Sequence, residues 1–236
     1  MLAFTPTPVL PGDASAAALA AEAWRQAWKP PRVRLLLLAE SHMATSAAEL
    51  ACRLRLPAGL DWPGPEGFVR HIYCPAYGEP GLVPDLPVAN AGTGQFWRLF
   101  AAIEGNPPPT RAAIPDLAAR LAAKAALLHR LKARGIWLTD ASLAAVAGPG
   151  GVRVAPRPYA AALREGWRHH GLDLPRLDPA HVLVIGLGVA RILRGQLDAA
   201  FPGRWQAVPQ PMGARGLAPT AALHATLAEA ARRHAD

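Results

Sequence analysis

The sequence predicts an α/β fold built on a four-stranded parallel sheet, on three observations. Four short, apolar-rich runs stand at 33–38, 136–140, 181–185 and 205–208; the first is bounded by Pro30-Pro31 and by polar residues, which suits a strand buried on both faces. Segments with helical apolar spacing separate the runs, and strands separated by helices imply parallel pairing through right-handed crossovers. At 236 residues and 51% hydrophobic content, the chain is long enough for a single domain, 1–236, with a sizeable core.

Each element follows from its residues. Residues 13–28 read as an alanine-rich helix, with Asp13 or Ser15 able to cap its start and Pro30-Pro31 ending it. The first strand breaks without a glycine into Ala39-Glu40-Ser41-His42-Met43, and the carboxyl ends of parallel strands are where ligands bind. Another helix begins near Ser46. Residues 56–94, dense in proline and glycine and carrying His71, Tyr73, Cys74 and Tyr77, form a long irregular insert, read as an ordered loop lying over something. Residues 95–103 have the spacing of a short helix in which Phe96, Trp97 and Phe100 sit as core aromatics, and 114–134 repeat the pattern with Gly135 as a C-cap. The second strand, 136–140, ends at Asp140. A helix at 159–170, the third strand at 181–185 and a helix at 188–199 lead to the fourth strand, 205–208, which enters Pro209-Gln210-Pro211-Met212; a last helix runs from 220 to 234. With all four carboxyl ends along one edge, Glu40, Ser41, His42, Asp140 and Gln210 are expected to line one cleft.

Composition narrows the function. The net charge of +8 and pI near 10.5 point to an anionic partner, although the excess of arginine over the three lysines Lys29, Lys124 and Lys132 also fits a compositional bias of the source genome. Two cysteines are too few for a disulfide framework or a four-cysteine iron–sulfur cluster and fit a reducing cytosol. Residues 1–12 lack the pattern of a signal peptide, and no apolar run approaches the roughly 20 residues that span a bilayer, so a soluble, cytoplasmic protein without membrane contact is expected. Gly186-Leu187-Gly188 begins a dinucleotide-binding turn, but Arg191 stands where a small residue must pack helix on strand, so no nucleotide cofactor is expected. His71, Cys74 and His169-His170 complete no standard ligand set, so neither is a metal. Ser41 beside His42 lacks a glycine elbow, which argues against a hydrolase triad. The plainest role for Glu40, Ser41 and His42 is to cap the next helix or bond nearby loops.

Taken in order, these segments resemble the uracil-DNA glycosylase superfamily from residue 33 to about 215, in pattern rather than in identity. Ala39-Glu40-Ser41-His42-Met43 occupies the slot of the first catalytic motif. Gly94-Gln95-Phe96-Trp97-Arg98-Leu99 looks like the helix after the base-stacking loop of the mismatch-specific branch. Gly135-Ile136-Trp137-Leu138-Thr139-Asp140 resembles the second-strand segment, residues 182–193 the strand-turn-helix unit before the last motif, and Val208-Pro209-Gln210-Pro211-Met212-Gly213 a degenerate His-Pro-Ser-Pro loop. The family's water-positioning aspartate or asparagine falls at Ser41, its base-reading asparagine at Asp140 and its leaving-base histidine at Val208.

The resemblance implies a three-layer α/β/α fold and a monofunctional, cofactor-free glycosylase that flips uracil, or a related deaminated base, out of DNA and hydrolyses its N-glycosidic bond to start base excision repair. It implies a monomer working on the nucleoid of a bacterial-type cytosol. In this reading Glu40, Ser41, His42 and Asp140 form the catalytic set, and the base is held by Gln210 and by Tyr73 or Tyr77, either of which can stack on it. Pro209 and Pro211 stiffen the DNA-binding loop, Met212 is the wedge, and Arg215 holds a phosphate. Two other readings remain open: a relative that binds DNA or an abasic site without cleavage, and an unrelated small-molecule α/β enzyme.

Overall fold

The computed structural model describes residues 6–86, 89, 90, 92, 94–211 and 217–235. Each apolar run becomes a strand: β1 (Leu35–Ala39), β2 (Ile136–Asp140), β3 (His181–Ile185) and β4 (Trp205–Val208). The helices are α1 (Ala17–Ala27), α2 (Ala47–Leu50), α3 (Gly94–Ile103), α4 (Leu117–Ala133), α5 (Pro156–Arg176), α6 (Leu187–Ala200) and α7 (Leu217–His234). The strands form one all-parallel sheet in the order β2-β1-β3-β4, an α/β architecture consistent with three layers. Leu35 pairs with His181 and Leu38 with Val184 across β1 and β3; Val182 pairs with Trp205 and Ile185 with Val208 across β3 and β4. The chain order reverses between β1 and β3, and an open parallel sheet takes its ligand outside the carboxyl ends of its strands at such a reversal.

The boundaries that differ from the sequence expectation have local causes. β1 starts at Leu35 rather than Val33 because the amides of Arg34 and Leu35 both donate to the Gly135 carbonyl, at 2.8 and 3.2 Å, which sets the first rung. α1 starts at Ala17 with no side-chain cap, since Asp13 accepts from the Thr45 amide instead, at 2.9 Å. α4 starts at Leu117, three residues after Ile114, because the Asp116 carboxylate accepts from the Ala119 amide at 2.7 Å. Ser46 does start α2, in a reciprocal capping box with Glu49.

The chain divides into two compact units, each drawn from three segments. One comprises Lys29–Ala39, Gly94–Thr139 and His170–Asp236 and holds the sheet up to Thr139. Within it α7 packs on β1 and β3, α6 on β3 and β4, and α3 on α7 and α4. Trp97 and Phe100 of α3 are buried edge to face, with centroids 6.0 Å apart, and Lys124 of α4 lies over the Trp97 ring at 4.8 Å. Trp97 and Phe100 are therefore core, whereas Phe96 is only half-buried.

The other unit comprises Met1–Trp28, Glu40–Thr93 and Asp140–His169. Its described irregular stretch is folded into the core, with Phe68, Val69, Ile72, Tyr73, Cys74 and Tyr77 buried. Trp28 meets Trp62 edge-on at 5.6 Å and stacks on Tyr73 at 6.2 Å. Side chains do here what a ladder does in a sheet. The Trp62 indole donates to the Tyr73 carbonyl at 2.9 Å, Asn90 bridges the Gly78 amide and the Ala76 carbonyl, and Arg70 donates to Glu49 Oε1 through Nε at 2.8 Å and Nη2 at 2.5 Å. Gly64, at φ 145°, lets the chain pass the Trp24 ring where a Cβ would lie 2.1 Å from a ring carbon. Among the described residues, no helix is long and apolar enough to cross a membrane.

Candidate functional site

The segments that leave β1 and β2 are tied together at once, because the Ser142 amide donates to the Glu40 carbonyl at 2.9 Å. Glu40 is held on both carboxylate oxygens: the Tyr159 hydroxyl donates to Oε1 at 2.7 Å and Arg153 Nη2 to Oε2 at 3.0 Å. Its side chain is only 11% exposed, but the Arg153 side chain is 54% exposed, so the pair sits at the rim of solvent. Ser41 serves the turn. Its hydroxyl donates to the His42 carbonyl at 2.7 Å and accepts from the Val146 amide at 3.1 Å. That geometry fits a loop-holding serine rather than a nucleophile, since the oxygen is committed to backbone groups on both sides.

The next two residue types lie deeper. His42, His71, Asp140 and Arg25 form a buried polar cluster in which no residue is more than 3% exposed. Arg25 of α1 donates through Nη2 to Asp140 Oδ2 at 2.6 Å and through Nη1 to Glu22 Oε2 at 2.8 Å. The Tyr73 amide donates to His71 Nδ1 at 3.3 Å, which leaves the ring proton on Nε2, and Nε2 faces Asp140 Oδ2 at 3.6 Å. Neither ring nitrogen of His42 has a hydrogen-bond partner among the described residues.

The charges follow from this packing. Burial raises the Asp140 pKa, but the Arg25 cation and then His71 more than offset it and hold the carboxyl well below the usual carboxylate range. Burial pushes His42 down to about 3, with the Arg25 cation adding to the effect, and His71 is likewise lowered, first by burial. At neutral pH the cluster therefore contains one cation, Arg25, balanced against Asp140 and Glu22, beside two neutral imidazoles. A neutral imidazole offers one N–H donor and one lone pair. In His42 neither is used by any of the described residues, and a buried polar group without a partner costs about 1–3 kcal/mol. Groups retained at such a cost cluster at functional sites.

The remaining expected residues are placed as follows. Tyr73 is buried between Trp28 and His71, with the His71 ring 5.4 Å away, so the aromatic packing of the unit engages it. Tyr77 is also buried, and its amide closes a turn on the Cys74 carbonyl at 3.1 Å. Gln210 follows β4 in the sheet unit, half-buried along with Pro209 and Pro211, and its side chain lies over Gly186, where a Cβ would meet Gln210 Cγ at 3.4 Å. Met212 and Arg215 lie outside the described residues. Among the described residues, no group of three or more His, Cys, Asp or Glu side chains is placed to hold a metal ion.

The geometry thus brings His42 and Asp140 into one cluster, while Glu40 is held by Arg153 and Tyr159 and Ser41 by backbone groups. It adds Arg25, Glu22, Arg153 and Tyr159, none of which the sequence reading singled out, and gives His71 a carboxylate neighbour in Asp140. No protein-family model matches the chain, and no curated protein matches it.

Proposed function

We propose that the chain is a base-excision glycosylase, which takes uracil or a related deaminated base out of DNA and hydrolyses its N-glycosidic bond. The observation that carries this reading is the buried cluster in which His42, from the first-motif segment, and Asp140, from the end of β2, lie together, with both nitrogens of His42 unused among the described residues. The four-stranded parallel sheet supports it, since the resembled superfamily has such a sheet with its first motif after the first strand. The basic charge of the chain, +8, supports an anionic partner. Uracil-containing DNA is that partner in this reading, bound by a monomer on the nucleoid of a bacterial-type cytosol.

The chemistry would run as follows. Flipping the base costs a few kcal/mol, offset by phosphate contacts and a wedge, roles the resemblance gives to Arg215 and Met212. The C1′–N bond breaks with its electron pair passing to the base, and water adds to C1′ and gives up a proton to the Glu40 carboxylate, from which it passes to solvent or to the departing base anion. A neutral His42 acts as an N–H donor to the base oxygen rather than as an imidazolium acid, because burial keeps it uncharged. Asp140, an anion, accepts from the ring N–H of the base, and Glu40, nearer solvent, orients the water. Every member of the cluster is buried, so the segment covering it opens when the base enters.

A second reading has its own support. Glu40 and Asp140 are both held by arginines, which suits recognition of DNA without bond cleavage. Uracil release from labelled single- and double-stranded DNA decides. Release by the wild type, lost in His42→Ala and Asp140→Ala, is the expected result. Retardation of uracil-containing duplex without release favours the binding reading, and salt-insensitive or undetectable DNA binding removes both, because phosphate-driven affinity falls with salt.

A further inference from the structure

Arg25 lies on α1, ahead of every segment to which the glycosylase reading assigns a role. Its side chain is fully buried, and it splits two terminal nitrogens between two carboxylates, Glu22 on its own helix and Asp140 at the end of β2. Glu22 is itself held, since Gln26 donates to its Oε1 at 2.6 Å. The Arg25 fork is thereby fixed at one end before it reaches Asp140. At the other end both close contacts of the Asp140 carboxylate, Arg25 Nη2 and His71 Nε2, fall on Oδ2. A carboxylate this deeply buried takes up a proton unless a cation is beside it. The titratable groups around it are Arg25 and Glu22 from α1, His42 from the segment after β1 and His71 from the irregular stretch. Among these described groups, Arg25 alone carries a positive charge at neutral pH.

We propose that Arg25 is the positioning residue of this site, holding Asp140 as an anion turned so that Oδ1 is the acceptor offered to substrate. The helix α1 is then part of the site and not only a support for the fold. The nature of the substrate rests on the glycosylase reading; the coupling of Arg25 to Asp140 does not.

The test uses the full chain as wild type, Arg25→Lys, Arg25→Gln, Asp140→Asn and the double variant Arg25→Gln/Asp140→Asn, with uracil release and unfolding followed from pH 5.5 to 8.5. Removing the cation alone lets Asp140 protonate near neutrality, so release by Arg25→Gln falls about tenfold from pH 8 to pH 6 where the wild type changes less than about twofold. Arg25→Lys keeps the charge and restores the wild-type profile. In the double variant two neutral amides replace the pair, the pH dependence that Asp140 gives to unfolding disappears, and the unfolding constant recovers about a hundredfold against the sum of the two single changes. A merely structural arginine lowers activity equally at every pH, so an Arg25→Gln profile parallel to the wild type overturns the proposal. So does a double variant no more stable than additivity predicts. If Arg25→Gln does not fold, a folded double variant supports the coupling and an unfolded one overturns it. If the wild type releases no uracil, the glycosylase reading falls, and the pH dependence of unfolding in the same five proteins still decides for or against Arg25.

Discussion

Acidification will weaken the fold through His42, and replacing that histidine with phenylalanine will remove the effect. Burial and the Arg25 cation make the ring much harder to protonate in the folded chain than in the unfolded one, where its pKa is near 6.5; folded, it is about 3. Above pH 6.5 neither state binds the proton and the stability is fully present. As pH falls below 6.5 the unfolded chain gains a proton that the folded chain refuses, and stability drops until the pH nears 3. Each pH unit in that window is worth about 1.4 kcal/mol, so by pH 5 His42 alone costs about 2 kcal/mol. His71 acts in the same direction. Asp13 acts in the opposite one, because burial raises its pKa to about 6 and the folded chain takes up that proton first. Comparison of wild type with His42→Phe isolates the His42 part, since the other two groups are common to both. Urea unfolding at pH 7.5 and pH 5 is the assay. At pH 7.5 the variant is more stable by about 1–3 kcal/mol, because an apolar ring of similar size leaves no donor or acceptor unmet. At pH 5 its advantage grows by about a further 2 kcal/mol. If the advantage is the same at both pH values to within about 0.5 kcal/mol, His42 is not the buried neutral group described here. If the variant is less stable at pH 7.5, the His42 nitrogens have partners that stabilise the native chain.

Three further measurements test the local packing and capping. Gly166→Ala puts a Cβ 2.2 Å from the Ala141 carbonyl oxygen, on backbone that follows β2 directly, and will cost about 2 kcal/mol or more in urea unfolding; wild-type stability would mean that α5 has room to shift. Asp116→Ala removes the side-chain cap of α4 and will lower stability by about 1 kcal/mol, read as a shift of the urea midpoint with an unchanged slope. Cys74 is buried, and burial pushes its thiol up to about 11, so a thiol reagent will label only Cys52 in the native chain at pH 8 and both cysteines in denaturant; rapid native labelling of Cys74 would show that the irregular segment opens on that timescale.

The strands were legible because each is a local pattern. β2, β3 and β4 carry the bounds read from the sequence, while β1 runs one residue further, to Ala39, and starts two residues later because its first rung is a contact with Gly135, about a hundred positions along the chain. Helix ends were less legible where a capping side chain had two uses. Asp13 is a good N-cap residue by type, yet it is spent on Thr45, and nothing within a few residues of Asp13 signals that choice. The irregular stretch from 56 was legible as ordered and not as core. Its aromatics lack a period because side-chain bonds to backbone hold it, and such bonds leave no spacing to read.

The candidate site divides along the same line. His42 and Asp140 each follow or close an apolar run, so chain position alone puts them at strand ends. Their partner does not share that advantage: Arg25 lies 115 residues from Asp140, in a helix that reads as an alanine-rich scaffold. A signal was nonetheless present. Ala18, Ala21 and Arg25 follow the three- and four-residue spacing of one helix face, and the alanines on it are buried. An arginine on that face must either reach solvent past its neighbours or find a carboxylate inside, because a buried guanidinium without a partner is not tolerated. Glu22 can neutralise it locally at the next turn, but one carboxylate leaves half of the fork unused. The second carboxylate must then come from a buried chain end elsewhere, and Asp140, an acidic residue closing a strand buried along its whole length, meets that requirement. Reading buried charge as an unpaid demand, rather than reading each helix for its period alone, is what connects α1 to the site.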